Sequence, residues 1–259
     1  MSQPRILILR APGTNCDAET AFAFQRAGGR PDVVHVRRLL ENPTLPRGYQ
    51  VLCLPGGFSY GDDIAAGRIL AGQIRHHLAD VLRQFQADGK LILGICNGFQ
   101  VLIRSGLLLP DHPQAGPAAT LTWNDSGRFE ARWVELVVRG SRCVMLQGIE
   151  RIYLPVAHAE GKFVPRDEDT FEHLDRQQQL VLRYVGREAG PSPVYPDNPN
   201  GSVGHVAGVC DESGRVLGLM PHPERYIDPT HHPRWTREGL AETGAGLRIF
   251  QNAVRYFAA

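Results

Sequence analysis

A cysteine set between a fully apolar run and a helical pattern, as Cys96 is in Gly94-Ile95-Cys96-Asn97-Gly98-Phe99-Gln100, is placed to act as a nucleophile. A sharp strand-to-helix turn lifts the sulfur out of the sheet. Glycines two residues to either side keep side chains away where the two backbones approach. Backbone N–H groups at the helix start favour an anion and offer donors to an oxyanion. Cys53, Cys143 and Cys210 lie inside apolar runs and read as inert core thiols. Cys16, in a loop after the first apolar run, is left open between packing and function.

A cysteine nucleophile needs a base to take its proton, and the base needs an acceptor that fixes its tautomer. His222 and Glu224 meet this requirement in Leu219-Met220-Pro221-His222-Pro223-Glu224-Arg225, directly after the strand pattern RVLGLM. The flanking prolines stiffen the loop so that both side chains leave it on one side. The glycine-rich loop Pro55-Gly56-Gly57-Phe58-Ser59-Tyr60-Gly61-Asp62 follows another strand pattern. An amide of Gly57 or Phe58 there, with that of Asn97, gives a two-donor oxyanion hole; losing one donor from such a hole costs on the order of 100- to 1000-fold in rate. The pairs His76-His77 and His231-His232 are not assigned to a metal, because adjacent helical side chains diverge by roughly 100°.

These motifs need a rigid frame. Short β-rich runs alternate with helical patterns over the first hundred residues, which predicts parallel βαβ units. Strands are expected at Arg5–Arg10, Pro31–Val36, Tyr49–Leu54 and Lys90–Ile95, the last fully apolar and so central. Helices are expected over Ala18–Ala27, much of Ala65–Ala87, Asn97–Ser105 and Gly246–Phe257. From about residue 118 the runs RWVELVV, RIYLPVAH, QLVLRYV, HVAGVC and RVLGLM are separated by turns and predict antiparallel additions, with Asp211–Gly214 as a hairpin. The proline-rich Gly190–Gly201 reads as a long loop.

The 259 residues, 42% of them hydrophobic, are read as a single domain over residues 1–259. With 28 Lys plus Arg against 27 Asp plus Glu, the overall field points to neither nucleic acid nor an anionic membrane. The first apolar run is too short for a signal peptide, and no window approaches the roughly 20 apolar residues of a membrane span. Five scattered cysteines without a CxxC pair suggest neither a disulfide framework nor a zinc knuckle. A soluble cytoplasmic protein is expected.

With its PGG loop, G-x-C-x-G-x-Q elbow and late H-P-E, the chain resembles the class I glutamine amidotransferases. Within them it is similar to the glutaminase subunits of phosphoribosylformylglycinamidine synthases. PGTNCD (Pro12–Asp17), PGGFSYGDD (Pro55–Asp63), GICNGFQ, PVAHAEGKF (Pro155–Phe163), NPNGSVGHVAG (Asn198–Gly208) and MPHPER (Met220–Arg225) carry that likeness.

The resemblance implies an α/β, flavodoxin-like doubly wound sheet, mainly parallel with antiparallel additions. It implies Cys96 as nucleophile, His222 as base, Glu224 as its orienting acid and Gln100 as a contact for bound L-glutamine. A large synthetase subunit and a small third subunit are implied as partners. The synthetase would use ATP with Mg²⁺ to convert formylglycinamide ribonucleotide to formylglycinamidine ribonucleotide. This chain carries no P-loop, and no cofactor is assigned to it. The segments Leu109–Thr122 and Asp228–Glu242 exceed the compact members of this family and read as tolerated surface insertions, with loops at the partner interface as the alternative. Ala159 stands where glycine is more usual, which leaves His158 and Glu160 open between a specific role and buried structural polarity. Two rival readings are a stand-alone cysteine hydrolase or peptidase of the same fold, and a catalytically silent scaffold subunit.

Overall fold

The computed structural model describes residues 3–186 and 193–258. Its strands are β1 (Arg5–Arg10), β2 (Arg30–His35), β3 (Val51–Leu54), β4 (Leu91–Ile95), β5 (Ala119–Thr122), β6 (Glu130–Val138), β7 (Arg151–His158), β8 (Lys162–Pro165), β9 (Leu182–Val185), β10 (Val206–Cys210) and β11 (Val216–Leu219). Nine of them form one sheet in the order β2-β1-β3-β4-β11-β10-β9-β6-β7, while β5 and β8 pair separately. β2, β1, β3, β4 and β11 run parallel. β10, β9, β6 and β7 extend the sheet by antiparallel pairing.

The strands β3, β4 and β11 are buried along their whole length, as their unbroken apolar sequences require of a parallel centre covered on both faces. The helices are α1 (Asp17–Arg26), α2 (Val36–Glu41), α3 (Arg68–Gln73), α4 (Ala79–Ala87), α5 (Asn97–Ser105), α6 (Glu168–Arg176), α7 (Trp235–Glu238) and α8 (Leu247–Arg255). α1 and α8 meet edge-to-face through Phe24 and Phe250, 4.9 Å between ring centroids. α5 lies on β11, where the Phe99 ring fills the space beside Gly218.

Three expectations about the elements change. Val36 opens α2 instead of closing β2, because the His35 ring accepts a hydrogen bond from Arg37 N at 3.2 Å and starts a helix there. The single helix expected over Ala65–Ala87 begins at Arg68, after Gly67 at φ +71°, and passes through a π-helical stretch, Ile74–Leu78, before α4. RVLGLM is a fifth parallel strand, antiparallel only to its hairpin partner β10.

The segment Leu109–Thr122 contains β5, and Asp228–Glu242 is anchored by His232, whose ring stands 5.8, 5.5 and 5.7 Å from those of Trp133, Tyr153 and Tyr226. Pro193–Gly201 is irregular, and Gly190–Ser192 of the same expected loop lie outside the described residues. No helix among the described residues is long and apolar enough to cross a membrane.

Candidate active site

The carboxyl ends of β1, β3, β4 and β11 lie at one edge of the sheet, the usual position for sites in open parallel sheets. Cys96 follows β4 directly, and its amide donates to the Leu219 carbonyl at the end of β11 at 2.8 Å. That bond sets the cysteine beside the strand that leads to His222.

Cys96 has φ +50° and ψ −105°, a left-handed backbone for a residue with a Cβ. Such a conformation costs on the order of 1–3 kcal/mol. Burying Leu91, Ile92, Leu93 and Ile95 of the same strand contributes roughly 1.5–3 kcal/mol each, an upper figure that still exceeds the strain several-fold. The strand therefore holds the elbow in place. Gly98 is obligatory, since a Cβ there would stand 1.9 Å from the Leu54 carbonyl oxygen. This close approach brings the start of α5 against the end of β3 and its glycine loop.

His222 and Glu224 lie in the loop after β11, both nearly inaccessible, with Nδ1 2.6 Å from Oε1. The carboxylate accepts a hydrogen bond from Nδ1–H, which makes Nε2 the nitrogen that exchanges a proton; the hydrogen-bond geometry gives Nε2 no partner among the described residues. Burial alone would lower the imidazole pKa. The Glu224 carboxylate, followed by the Cys96 and Cys16 thiols, outweighs that effect and holds it well above its ordinary value. The ring thus interacts with Cys96, whose thiol also faces the Ala157 carbonyl at 3.5 Å. Nucleophile–base hydrogen bonds are often loose before substrate arrives.

The glycine loop is tied to the elbow by Asn97, whose Oδ1 accepts from Ser59 N at 3.2 Å and whose Nδ2 donates to Asp62 and Gln100. Phe58 N donates to the Gly13 carbonyl at 3.0 Å and is spent. The amides of Gly57 and Asn97 have no acceptor among the described residues. Gln100 is 3% exposed; its Nε2 donates to the Glu160 carbonyl at 2.6 Å and its Oε1 accepts from Asn97. Both ends of that amide are therefore engaged within the chain.

Sequence reasoning left two contributors unassigned. Cys16 is buried against this cluster, because Gly56 has no side chain to separate it from His222: a Cβ on Gly56 would lie 2.8 Å from the imidazole Cε1 and 3.2 Å from Cys16 Sγ. Its motif, PGTNCD at the end of β1, was the available signal. The second contributor is the wall formed by Ala157 to Glu160 at the end of β7. Here His158 is buried, with Nδ1 3.1 Å from Asn124 Oδ1. Asn124 gives its Nδ2 protons to the Arg128 and His158 carbonyls, so its oxygen faces the ring and His158 Nδ1 is the donor. Burial, reinforced by His222, lowers the His158 pKa to about 3 and keeps that ring neutral. The Glu160 carboxylate accepts from Ala66 N and lies 3.6 Å from Arg104.

An elbow thiol, a carboxylate-oriented imidazole and two uncommitted amides can perform acyl transfer from a carboxamide or ester. The profile of the CobB/CobQ-like glutamine amidotransferase domain matches residues 3–257. The chain belongs to the glutamine amidotransferases. It is 48% identical over 257 residues to the phosphoribosylformylglycinamidine synthase subunit PurQ of Dehalococcoides mccartyi, covering 99% of this chain and 98% of that one. It is 41% identical over 266 residues to the same subunit of Methanococcus maripaludis, covering 98% and 97%. Among solved structures, a chain of the PurLQS assembly from Thermotoga maritima superposes with a TM-score of 0.74 at 33% identity, covering 99% of this amidotransferase and all of that chain.

Proposed function

We propose that this chain is the glutaminase subunit of a phosphoribosylformylglycinamidine synthase, with residues 1–259 forming one amidotransferase domain. The observation that carries the mechanism is the buried His222–Glu224 pair at 2.6 Å beside the Cys96 elbow. Cys96 is the nucleophile, His222 the base and Glu224 the acid that fixes its tautomer. The Cys96 proton is held on Nε2 as sulfur attacks the carboxamide carbon of L-glutamine. The amides of Gly57 and Asn97 stabilise the resulting oxyanion. The His222 imidazolium returns the proton to the departing nitrogen, ammonia leaves, and a thioester remains. Water deprotonated by His222 then releases glutamate. Gln100 lines the glutamine pocket, where its engaged amide fixes the Glu160 carbonyl.

Ammonia is mostly protonated in neutral water and then has no nucleophilic lone pair, so it must pass directly to a partner. That partner is the large synthetase subunit, assembled with a small third subunit. The synthetase uses ATP and Mg²⁺ to convert formylglycinamide ribonucleotide to formylglycinamidine ribonucleotide in cytoplasmic purine biosynthesis. In the assembled enzyme Cys96→Ala is expected to abolish synthesis from glutamine and to leave synthesis from ammonium salts intact. Undiminished glutamine use by that variant would overturn the reading.

A further inference from the structure

Two thiols adjoin one imidazole in this molecule, and the catalytic sequence above uses only Cys96. Cys16 Sγ, a nitrogen of His222 and a carboxylate oxygen of Glu224 all lie within 4.8 Å of one another, and all three residues are buried. His222 Nε2 and Glu224 Oε2 have no hydrogen-bond partner among the described residues, although both are inaccessible to solvent. A buried polar atom without a partner costs about 1–3 kcal/mol, so Glu224 Oε2 is an unused acceptor in a cluster that also holds a sulfur and an imidazole. Thiolate, imidazole and carboxylate together are a zinc ligand set.

We propose that Cys16, His222 and Glu224 form a binding site for a thiophilic divalent cation of the Zn²⁺ type, whose capture withdraws His222 from Cys96 and switches the glutaminase off. The inhibitory consequence rests on the proposed role of His222 as base; the metal site does not. A tetrahedral zinc ion holds its donors roughly 3.3–3.8 Å apart, so the ion takes the place of the 2.6 Å hydrogen bond between His222 Nδ1 and Glu224 Oε1, those two atoms moving apart as Cys16 Sγ moves in. The Cys16 thiol proton and one imidazole proton of His222 leave to solvent, and the cation takes lone pairs from sulfur, nitrogen and oxygen with no change of oxidation state.

The surrounding charges are mixed. Burial raises the Cys16 thiol pKa, and Arg225 Nη2, which donates to Sγ at 3.2 Å while its Nε donates to Glu19 at 3.0 Å, offsets this only in part. Asn15 Oδ1 accepts from the Cys16 thiol at 3.3 Å and loses that bond when the proton departs. Adjacent histidines, the pattern weighed in the sequence for metal binding, take no part. The ligands come from the ends of two different strands, β1 and β11.

The test uses the full chain with Co²⁺ as a spectroscopic probe and the assembled enzyme with Zn²⁺. A cobalt–thiolate charge-transfer band is expected at the first equivalent, retained in Cys96→Ser and lost in Cys16→Ser. Glutaminase inhibition by Zn²⁺, reversed by a chelator, is expected to weaken at least about tenfold in Cys16→Ser relative to that variant's own metal-free rate. Glu224→Gln, read by cobalt binding alone, is expected to weaken the band's affinity by a similar factor and serves if Cys16→Ser does not fold. An unchanged band and unchanged inhibition in Cys16→Ser overturn the proposal, as does a band lost only with Cys96. A Cys16-dependent band in an enzyme whose Cys96→Ala variant still uses glutamine would instead overturn the catalytic assignment and leave the metal site standing.

Discussion

The two halves of the sheet bear different histidines. In the parallel half, His222 is paired with a carboxylate at 2.6 Å and its pKa is held well above the ordinary value. In the antiparallel half, His158 is paired with a neutral amide at 3.1 Å and its pKa falls to about 3. Both are buried, so desolvation pushes both down, and the partner decides which ring keeps a proton. The parallel half thus supplies groups that exchange protons. The antiparallel half supplies a wall whose charge does not change near neutral pH.

The sharpest way to break this contrast is Glu224→Gln, which replaces the charged acceptor with an amide of the same shape. The carboxamide neither holds the imidazolium nor enforces the Nδ1–H tautomer, so kcat is expected to fall by about 10⁴-fold, with KM for glutamine little changed. Steady-state glutaminase assays check it. A loss under tenfold would show that the parallel half does not depend on that pair.

Gly98→Ala acts on the frame instead of the chemistry. A methyl group 1.9 Å from Leu54 O must push the start of α5 away from β3. Overpacking of this kind costs about 3 kcal/mol, read as a lower urea midpoint. Activity is expected to fall with it, because Cys96 and Asn97 move with the helix start. A stable variant with normal activity would remove the claim that this contact builds the elbow.

The same contrast decides what was legible in the sequence. Asn97–Ser105 was placed to the residue, because an apolar strand, two glycines and the αL Gly106 bound it on both sides. The contact between His222 and Glu224 was legible because a cysteine elbow calls for such a pair and flanking prolines mark the loop. The wall was not found, since Ala157 and Glu160 act through backbone carbonyls, for which no side-chain type is a signature. Cys16 was left open because only the absence of a Cβ at Gly56 brings it to His222, and that contact spans 40 residues in one direction and 166 in the other. The π-helical stretch after α3 had no sequence marker either, with Ile74 and Leu78 buried as an ordinary helix would bury them.

Asn124→Ala tests the wall directly. It strands the His158 and Arg128 carbonyls and the Gly161 amide, all of which Asn124 now satisfies. Stability is expected to drop by about 2–3 kcal/mol. On the proposed mechanism, in which the wall positions the pocket and lies off the proton path, KM for glutamine should rise more than kcat falls. A fall confined to kcat would place Asn124 in the chemistry and dissolve the division between the halves.

The smallest effect is read from pH. In the unfolded chain His158 binds a proton near pH 6.5, while in the native chain it binds none until about pH 3. The unfolded state therefore holds more protons in that window, and stability falls as pH decreases through it. Each pH unit contributes at most about 1.4 kcal/mol, so His158 accounts for about 2 kcal/mol of lost stability between pH 6.5 and 5. His222 has the opposite sign, since its raised native pKa gives stability that is fully present below about pH 6.5 and lost only as pH rises through that higher value. In His158→Asn the side-chain amide still donates to Asn124 but does not titrate. Urea unfolding of this variant at pH 6.5 and 5 is expected to show an acid loss about 2 kcal/mol smaller than that of the unmodified chain. Equal losses in the two proteins would mean that His158 takes up its proton in the folded state, and the wall would then change charge with pH.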